Sequence, residues 1–286
     1  KNDIAFNIVN IVFFILAAVT MIAPMVHVFA VSFSDPFYIN QNSVTFWPRG
    51  ATISAYQFVF KQTNLWRSLG VSVYITAIGT LISLTLVSSL SYALSRPHMP
   101  FRKLVIKGIV VTFIFPVPLI PFYLVVRGLG LDNTLWALMI PTAASAFYVI
   151  IMKTFFQGIA QELFDAATID GCSELGIYLR ITLPLSTAVI ATIGLFHAVQ
   201  QWNTYFHGLI FIRDPRLRPL QVLLRSLVIE DEITAQTQGE DAALLNYTPE
   251  QLKMAIIVFA TVPILVVYPY LQKYFVKGAM LGSLKG

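Results

Sequence analysis

The sequence predicts an all-α protein that crosses a membrane several times. Hydrophobic residues make up 57% of the 286 residues and charged residues 12%, against about 45–50% and 25% in soluble globular proteins. Mean hydropathy is +0.73. A soluble chain of this length could not bury so much apolar surface, and it is too apolar to be disordered. The single cysteine, Cys172, excludes a disulfide scaffold.

Six long apolar stretches approach the roughly 20 residues that a helix needs to cross a bilayer. They are Ile8–Phe33, Leu69–Leu94, Leu104–Val126, Leu135–Met152, Leu185–Ile212 and Met254–Val276. The charged residues within them are Lys107 and Lys273. Alternating apolar segments separated by turns, which would indicate a β-barrel, are not seen. We therefore predict one transmembrane domain, residues 1–286, with six spans.

Basic residues in the short connections predict the orientation of the spans. The basic residues of the turn at 95–103 are Arg96, Arg102 and Lys103, whereas Arg127 is the one basic residue of the next connection. Because Lys and Arg collect in cytoplasmic loops, the basic turn is predicted to be cytoplasmic, together with both termini. The connection at 153–184 is then also cytoplasmic, and the long loops at 34–67 and 213–253 lie outside. The same bias explains a pI near 9.3 without nucleic acid.

The cytoplasmic connection at 153–184 is predicted to form an exposed, acidic knuckle. Asp165–Ile169 favours a helix, and the alanines after Asp165 leave a face that another protein could approach closely. Gly171 suits the left-handed backbone that ends a helix. Pro184 suits the start of the next helix. The stripe expected to lead to it consists of Leu175, Tyr178, Leu179 and Thr182. A plain amphipathic connector is the alternative.

Four arginines lie close together in the predicted outer loop at 213–253. They are Arg213, Arg216, Arg218 and Arg225. An amphipathic helix is predicted from Pro219 to Ile229. Arginine pairs with carboxylates in a bidentate manner, so this loop could dock an acidic partner or attract an anionic substrate. The alternative is a solvated surface balanced by the acidic residues at 230–232.

Polar residues inside the spans indicate either packing or a solute path. The fifth span carries the amides and aromatic residues Gln200, Gln201, Trp202, Asn203 and Tyr205. Amides hydrogen-bond hydroxyls and aromatic faces stack on sugars, although an interfacial aromatic belt is the alternative. Small residues around Ser72, Thr76 and Thr80 favour close helix packing. Prolines 116, 118 and 121 interrupt the third span, as a hinge or as a static kink.

No catalytic, metal or cofactor site is predicted in this chain. It lacks a G-x-x-x-x-G-K-[ST] phosphate loop, an H-E-x-x-H pair and a G-x-S-x-G turn. Its four histidines do not have metal-ligand spacing. The predicted spans contain no carboxylates, which ion-coupled transporters usually place deep in the membrane. Energy for any transport should therefore come from a partner.

The knuckle resembles the EAA signature of ABC-importer permeases. In this pattern an acid-Ala-Ala triplet is followed by Gly, the fourth residue after the second Ala, and then, after nine intervening residues, by Ile-x-Leu-Pro; here Asp replaces the usual Glu. The matching residues are Asp165, Ala166, Ala167, Asp170, Gly171, Ile181, Leu183 and Pro184. The stretches at 92–96, 130–134 and 202–205 are similar to motifs of sugar permeases. The C-terminal residues 277–286 are similar to the tail of the shorter permease in maltose-type importers.

That resemblance implies a type I importer permease fold and a function in carbohydrate import across a bacterial inner membrane. The implied partners are a second homologous permease, two ATPase subunits that bind ATP and Mg, and an extracytoplasmic solute-binding protein. The knuckle would be the coupling helix on an ATPase. The tail residues Gly278, Gly282, Ser283 and Lys285 would contact the ATPases. A secondary transporter acting alone and a non-transporting membrane scaffold are the alternatives.

Overall fold

The computed structural model describes residues 2–226 and 247–283, and within these ranges the protein is helical without strands. The first eight helices are α1 (Asn2–Ser32), α2 (Pro36–Asn40), α3 (Ser54–Lys61), α4 (Thr63–Ser95), α5 (Arg102–Ile114), α6 (Leu119–Gly128), α7 (Trp136–Met139) and α8 (Ala146–Gln157). They are followed by α9 (Gln161–Ile169), α10 (Glu174–Ile177), α11 (Leu183–Leu185), α12 (Thr187–Trp202), α13 (Phe206–Phe211), α14 (described over 220–226) and α15 (Pro249–Ser283). The all-α prediction is confirmed.

Three helices in the described ranges are long and apolar enough to cross a membrane without a break. These segments are Phe6–Ser32, Thr63–Ser95 and Pro249–Val266. They correspond to the first, second and sixth predicted spans, although α4 begins at Thr63, inside the predicted outer loop. Likewise α15 continues to Ser283, past the predicted end of the sixth span. The count of six spans is consistent with the helices but stays a prediction.

The third and fourth predicted spans are each divided into two shorter helices. Pro116 and Pro118 lie between α5 and α6, where a proline removes a backbone donor and its ring obstructs a continuous helix. Pro141 lies between α7 and α8. Helix α8 ends at Gln157, so the predicted cytoplasmic connection begins five residues later than residue 153. The sequence analysis named the prolines that interrupt the third span, but it did not predict the break in the fourth span.

The fifth predicted span is also broken, and the helical segment that leads into it meets it at a bend. The helical run Glu174–Leu185 meets α12 at 80°, and Ser186 lies at the junction. At its other end α12 stops at Trp202, and α13 follows after Asn203–Tyr205. Pro184 therefore lies in α11, one short helix before the long one, and not at the start of the span itself.

The described chain divides into two compact units. The first comprises the described residues within 1–67 and 223–265, and the second those within 68–222 and 266–286. One core cluster of the first unit consists of Ala30, Val31, Ile39 and Val44. Buried Gln251 donates a hydrogen bond from Nε2 to the backbone oxygen of Ser34 at 2.9 Å, which fastens α15 to the end of α1. Most of α1 is exposed, as expected of a surface that contacts lipid or another subunit.

The second unit is organised along one face of α4. Ser72, Ser83 and Ser91 are completely buried, and Gly79 is buried with them. A Cβ atom at residue 79 would lie 2.6 Å from Nε2 of Gln201. Of the residues predicted on this helix, Ser72 is buried and Thr76 and Thr80 are half-buried. Buried Ser72 and Gly79 therefore permit close packing inside the subunit.

Replacing Gly79 tests this close packing. The Gly79→Ala variant should displace Gln201 and break its 3.1 Å hydrogen bond from Nε2 to the Leu138 oxygen. We expect a loss of about 1–3 kcal/mol in stability, because a buried amide would lose its partner. Thermal unfolding in detergent measures it. Gly70→Ala on the same helix is the control, since nothing lies within 4 Å of its Cβ. Equal unfolding temperatures for the two variants would contradict the packing argument.

Candidate functional site

Helix α9 places the EAA-like residues on two faces. Phe164 and Ala167, three residues apart, are 4% and 7% exposed and face the core of the second unit. Asp165, Ala166 and Asp170 are exposed. Asp165 accepts a hydrogen bond at Oδ1 from Nε2 of Gln161 at 2.9 Å. The predicted exposed acidic face is therefore present, and one alanine of the pair serves the core instead of the surface.

Gly171 ends α9 in a left-handed conformation, as predicted. Its φ is +80°. The Cys172 amide donates to the Ala167 oxygen at 2.9 Å, and the Gly171 amide donates to the Thr168 oxygen at 3.1 Å. This pair of bonds is the Schellman arrangement that satisfies the last carbonyls of a helix. Ser173 then begins α10 by accepting a hydrogen bond at Oγ from the Gly176 amide.

Between α10 and α11 the chain forms a π-helical turn, Tyr178–Thr182. The Leu183 amide donates to the Tyr178 oxygen, five residues earlier. A wide turn accommodates Pro184 directly after it, because proline has no backbone donor and its ring obstructs the preceding turn. The predicted apolar stripe is wrong at two positions, since Leu175 and Leu179 are 65% and 51% exposed. The residues of this stretch that are buried or half-buried include Ile177, Tyr178 and Thr182.

A charged cluster at the C-terminal end of α4 contacts the knuckle. Tyr92 donates from its hydroxyl to Oε2 of Glu174 at 2.6 Å, and Arg96 donates from Nη2 to Oε1 at 3.3 Å. The Arg96 guanidinium also lies 4.6 Å from the centre of the Phe164 ring, within cation–π range. The hydrogen bond from Tyr92 lowers the pKa of Glu174, burial partly opposes this, and the charge of Arg96 lowers it further.

Glu174 is a residue that the sequence analysis missed as part of the site. Because its pKa is lowered in the folded protein, its contribution to stability is present above the ordinary pKa of a glutamate. That contribution is lost only as the pH falls through the folded value. The pairing could not be read from spacing, because 78 residues separate Arg96 from Glu174. The available signal was the Tyr-x-x-x-Arg sequence that closes α4.

At the opposite end of the second unit, Asn133 joins two turns. Its φ is +57°, and its amide donates to the Phe211 oxygen at 2.9 Å. Its side-chain Oδ1 accepts hydrogen bonds from the backbone amides of Arg213 and Asp214, both at 2.9 Å. Arg213 also forms an ion pair with Asp132. The Gly-Leu-x-Asn-Thr turn therefore fixes the end of α13.

The arginines predicted as a docking surface lie in different surroundings. The Arg213 side chain is engaged by Asp132, while Arg216 is exposed and Arg218 is half-buried. Asp214 accepts at Oδ1 from the Arg216 amide at 2.8 Å, which shapes the short turn Pro215–Leu217. Arg225 is exposed and belongs to the first unit. The predicted amphipathic helix begins at residue 220, and its last residues, 227–229, lie outside the described residues.

The residues predicted to line a solute path divide into buried and exposed groups. Gln201 is 2% exposed and Trp202 is 8% exposed. Gln200 and Asn203 are exposed, and Tyr205 is half-buried. Gln200 accepts a hydrogen bond at Oε1 from the Tyr148 hydroxyl at 3.3 Å. Gln200 and Asn203 therefore remain accessible from outside the subunit, whereas Gln201 and Trp202 contribute to its interior.

The backbone of the C-terminal tail is helical through Ser283 as part of α15, so Gly278, Gly282 and Ser283 lie on a helix. Lys285 lies outside the described residues. Over the described ranges, no group of three or more His, Cys, Asp or Glu side chains could hold a metal ion. The role of the tail stays a prediction.

Comparison with known proteins identifies the class. A family model described as "Binding-protein-dependent transport system inner membrane component" matches residues 86–280. The chain belongs to this family, the membrane-embedded permease subunits of ABC importers. The match includes the C-terminal end of α4, the knuckle and the three broken spans.

Individual relatives are similar over nearly the whole chain. Protein LplC of Bacillus subtilis (strain 168) is 43% identical over 100% of this chain and 97% of its own length. The B. subtilis polygalacturonan/rhamnogalacturonan transport system permease protein YtcP is 42% identical over 96% of each chain. A crystal structure of a bacterial ABC transporter that imports the acidic polysaccharide alginate contains a chain with a TM-score of 0.90 and 32% identity. That match covers 96% of this chain and 98% of the other.

Substitutions at Gly171 should separate backbone geometry from side-chain space. Nothing lies within 4 Å of a Cβ at this position, so only the positive φ resists replacement. Gly171→Asn should cost about 1 kcal/mol or less, because asparagine tolerates this region. Gly171→Pro cannot adopt a φ of +80° and should disrupt the knuckle. ATP-driven transport by the assembled importer should persist in the first variant and be abolished in the second, with membrane insertion unchanged in both. Normal transport by Gly171→Pro would show that the knuckle is not required.

Three substitutions at Asn133 should rank in a fixed order of stability. Asn133→Asp keeps an oxygen acceptor, Asn133→Gly keeps the backbone conformation, and Asn133→Ala keeps neither. We expect losses that increase in that order, reaching about 2 kcal/mol for alanine. Thermal unfolding in detergent measures the order. If Asn133→Gly were as stable as Asn133→Asp, the side-chain hydrogen bonds would contribute nothing.

Proposed function

We propose that this chain is the permease subunit of an ATP-driven importer of acidic oligosaccharides. The observation that carries the proposal is the whole-length similarity to a chain of an importer of the acidic polysaccharide alginate. The similarity to a polygalacturonan/rhamnogalacturonan permease protein supports the same class of substrate, since polygalacturonan is also a polymer of acidic sugars. Oligosaccharides named for further relatives, such as melibiose, raffinose and stachyose, support the broader carbohydrate class.

The proposed assembly contains a second permease, two ATPases and an extracytoplasmic solute-binding protein, with both termini of this chain in the cytoplasm. The exposed face of α9, with Asp165, Ala166 and Asp170, would contact one ATPase. ATP and Mg would be bound by that partner, which is consistent with the absence of a phosphate-binding loop in this sequence. The tail after the sixth span would contact the ATPases as well.

Transport would occur by alternating access. Closure of the ATPases moves the knuckle, the spans tilt, and the path opens towards the docked binding protein. Gln200 and Asn203 are the accessible amides of the predicted path and can donate hydrogen bonds to sugar hydroxyls or carboxylates. A secondary transporter is not favoured, because α1, α4 and α12 carry no carboxylate in their apolar segments.

Reconstitution of the complete importer in liposomes tests the proposal. With binding protein outside and ATP inside, oligogalacturonides or oligoalginates should be taken up and should stimulate ATP hydrolysis. Neutral malto-oligosaccharides of equal length should do neither. Uptake of only the neutral oligosaccharides would overturn the acidic substrate class. Ion-driven uptake by this chain alone, without any ATPase, would overturn the importer itself.

The exposed arginines give a second test at the outer surface. Replacing Arg216 and Arg218 with Gln should slow association of the binding protein at low salt by about threefold or more, with little effect at high salt. Stopped-flow association at several ionic strengths measures this. Arg127→Gln, at the exposed end of α6, is the matched charge control. Unchanged association at every ionic strength would identify these arginines as ordinary surface.

A further inference from the structure

The chain path from the knuckle to α12 is poorly suited to transmitting a displacement. It passes through the π-helical turn Tyr178–Thr182 and then through the 80° bend at Ser186. A push applied to α9 along this path would be directed across α12 and not along its axis. A wide turn and a bend are also places where a helix yields most readily.

A second connection, made by side chains, leads from the knuckle to α4. Arg96 is only 13% exposed, and its guanidinium lies against Phe164 of α9 while it pairs with Glu174 of α10. Tyr92 donates to the same carboxylate at 2.6 Å. One step further along, the Tyr178 hydroxyl and Ser88 Oγ are 2.7 Å apart. Both short helices of the knuckle are therefore attached to the last two turns of α4.

Helix α4 continues without a break from this attachment to the middle of its apolar segment. It spans 33 residues and contains no proline. Near its centre, Thr80 Oγ1 lies 3.2 Å from Nδ1 of His197, and Gly79 packs against Gln201. A displacement of the inner end of α4 would therefore reach α12 beside the predicted path residues without passing through the bend.

We propose that Tyr92, Arg96 and Glu174 form a clamp that holds the knuckle against α4 throughout the transport cycle, so that ATPase movement is delivered to α4 directly. They are positioning residues, since none of them is placed on the substrate or on the nucleotide. This inference rests on the proposed function, because it requires an ATPase at α9. It adds a route of coupling that the EAA-like pattern does not contain.

A double-mutant cycle on the complete importer tests the clamp. The variants are Glu174→Gln, Arg96→Gln and the double variant, with substrate transported per ATP hydrolysed as the readout. Each single variant should lower this ratio about tenfold, because each breaks a charge-assisted bond. The double variant should be no worse than the singles. Multiplicative losses would show that the two residues act independently and would overturn the clamp.

Matched controls separate coupling from folding and assembly. Glu250→Gln removes an exposed carboxylate of the same kind from the first turn of α15, which is not part of the knuckle, and should keep the normal ratio. Tyr92→Phe removes only the hydroxyl donor and should lower the ratio. Tyr148→Phe, whose hydroxyl joins α8 to Gln200, should lower it much less. Co-purification of all subunits in equal amounts should be unchanged in every variant; a lowered ratio confined to variants that lose the ATPase would also overturn the clamp.

A distance measurement between the knuckle and α4 distinguishes the clamp from a purely structural role, whose loss would not make this distance change with nucleotide. Spin labels at the exposed positions Leu175 and Ser89, in a Cys172→Ser background, report the separation of the knuckle from α4. The separation should be the same in the ATP-free and ATP-trapped importer, and it should change with nucleotide in the Glu174→Gln variant. A change in the unaltered clamp would show that it opens during the cycle, contrary to the proposal.

Gly171→Pro in the same preparation distinguishes the two possible failures. If it abolishes coupling while the clamp variants keep the normal ratio, the proposed function stands and the clamp fails. If neither Gly171→Pro nor the clamp variants change coupling, the knuckle is not the ATPase contact and the proposed function is itself at fault.

Discussion

Small buried residues along one face of α4 allow the backbones of neighbouring helices to approach that helix closely. They are Ser72, Gly79, Ser83 and Ser91. Lipid provides no hydrophobic force that would drive these helices together, so their association depends on close contact and on polar bonds at that contact. Ser72 Oγ accepts from the Leu220 amide at 2.8 Å, and Ser91 Oγ donates to the Val149 oxygen at 3.1 Å. The same small side chains thus permit the approach and satisfy backbone groups of the helices that arrive.

The broken helices of the second unit depend on this arrangement. Breaks at 115–118, 140–145 and 203–205 free backbone groups that cannot remain unpaired at membrane depth. The structure pairs several of them within the protein: Gln201 donates to the Leu138 oxygen, and Asn203 donates from Nδ2 to the Val199 oxygen. Polar residues that sequence analysis assigned to a solute path therefore also have a structural use. Gln201 serves the interior, and Gln200 and Asn203 keep an exposed face.

Two charged contacts lie at opposite ends of the second unit and have different consequences. The ion pair of Asp132 and Arg213 strengthens a turn already fixed by Asn133, so it contributes mainly to local stability. The contact of Arg96, the residue directly after α4, with Glu174 connects the end of α4 to α10 on the side predicted to meet the ATPase. In the proposed importer, the second contact therefore bears on coupling, whereas the first shapes the surface that would meet the binding protein.

The sequence alone determined the helical class, the membrane location, the positive φ at Gly171 and the exposed acidic face of α9, because composition, glycine geometry and short-range spacing are local properties. It also led, through the EAA-like pattern, to the family that the comparisons confirm. Only the tertiary structure placed Glu174 against Tyr92 and Arg96, buried Gln201 beside Gly79, and turned Leu175 and Leu179 outwards. The first two features depend on partners 78 to 122 residues apart, and the exposure of the two leucines depends on how this short, irregular helical stretch packs; neither is encoded in periodicity.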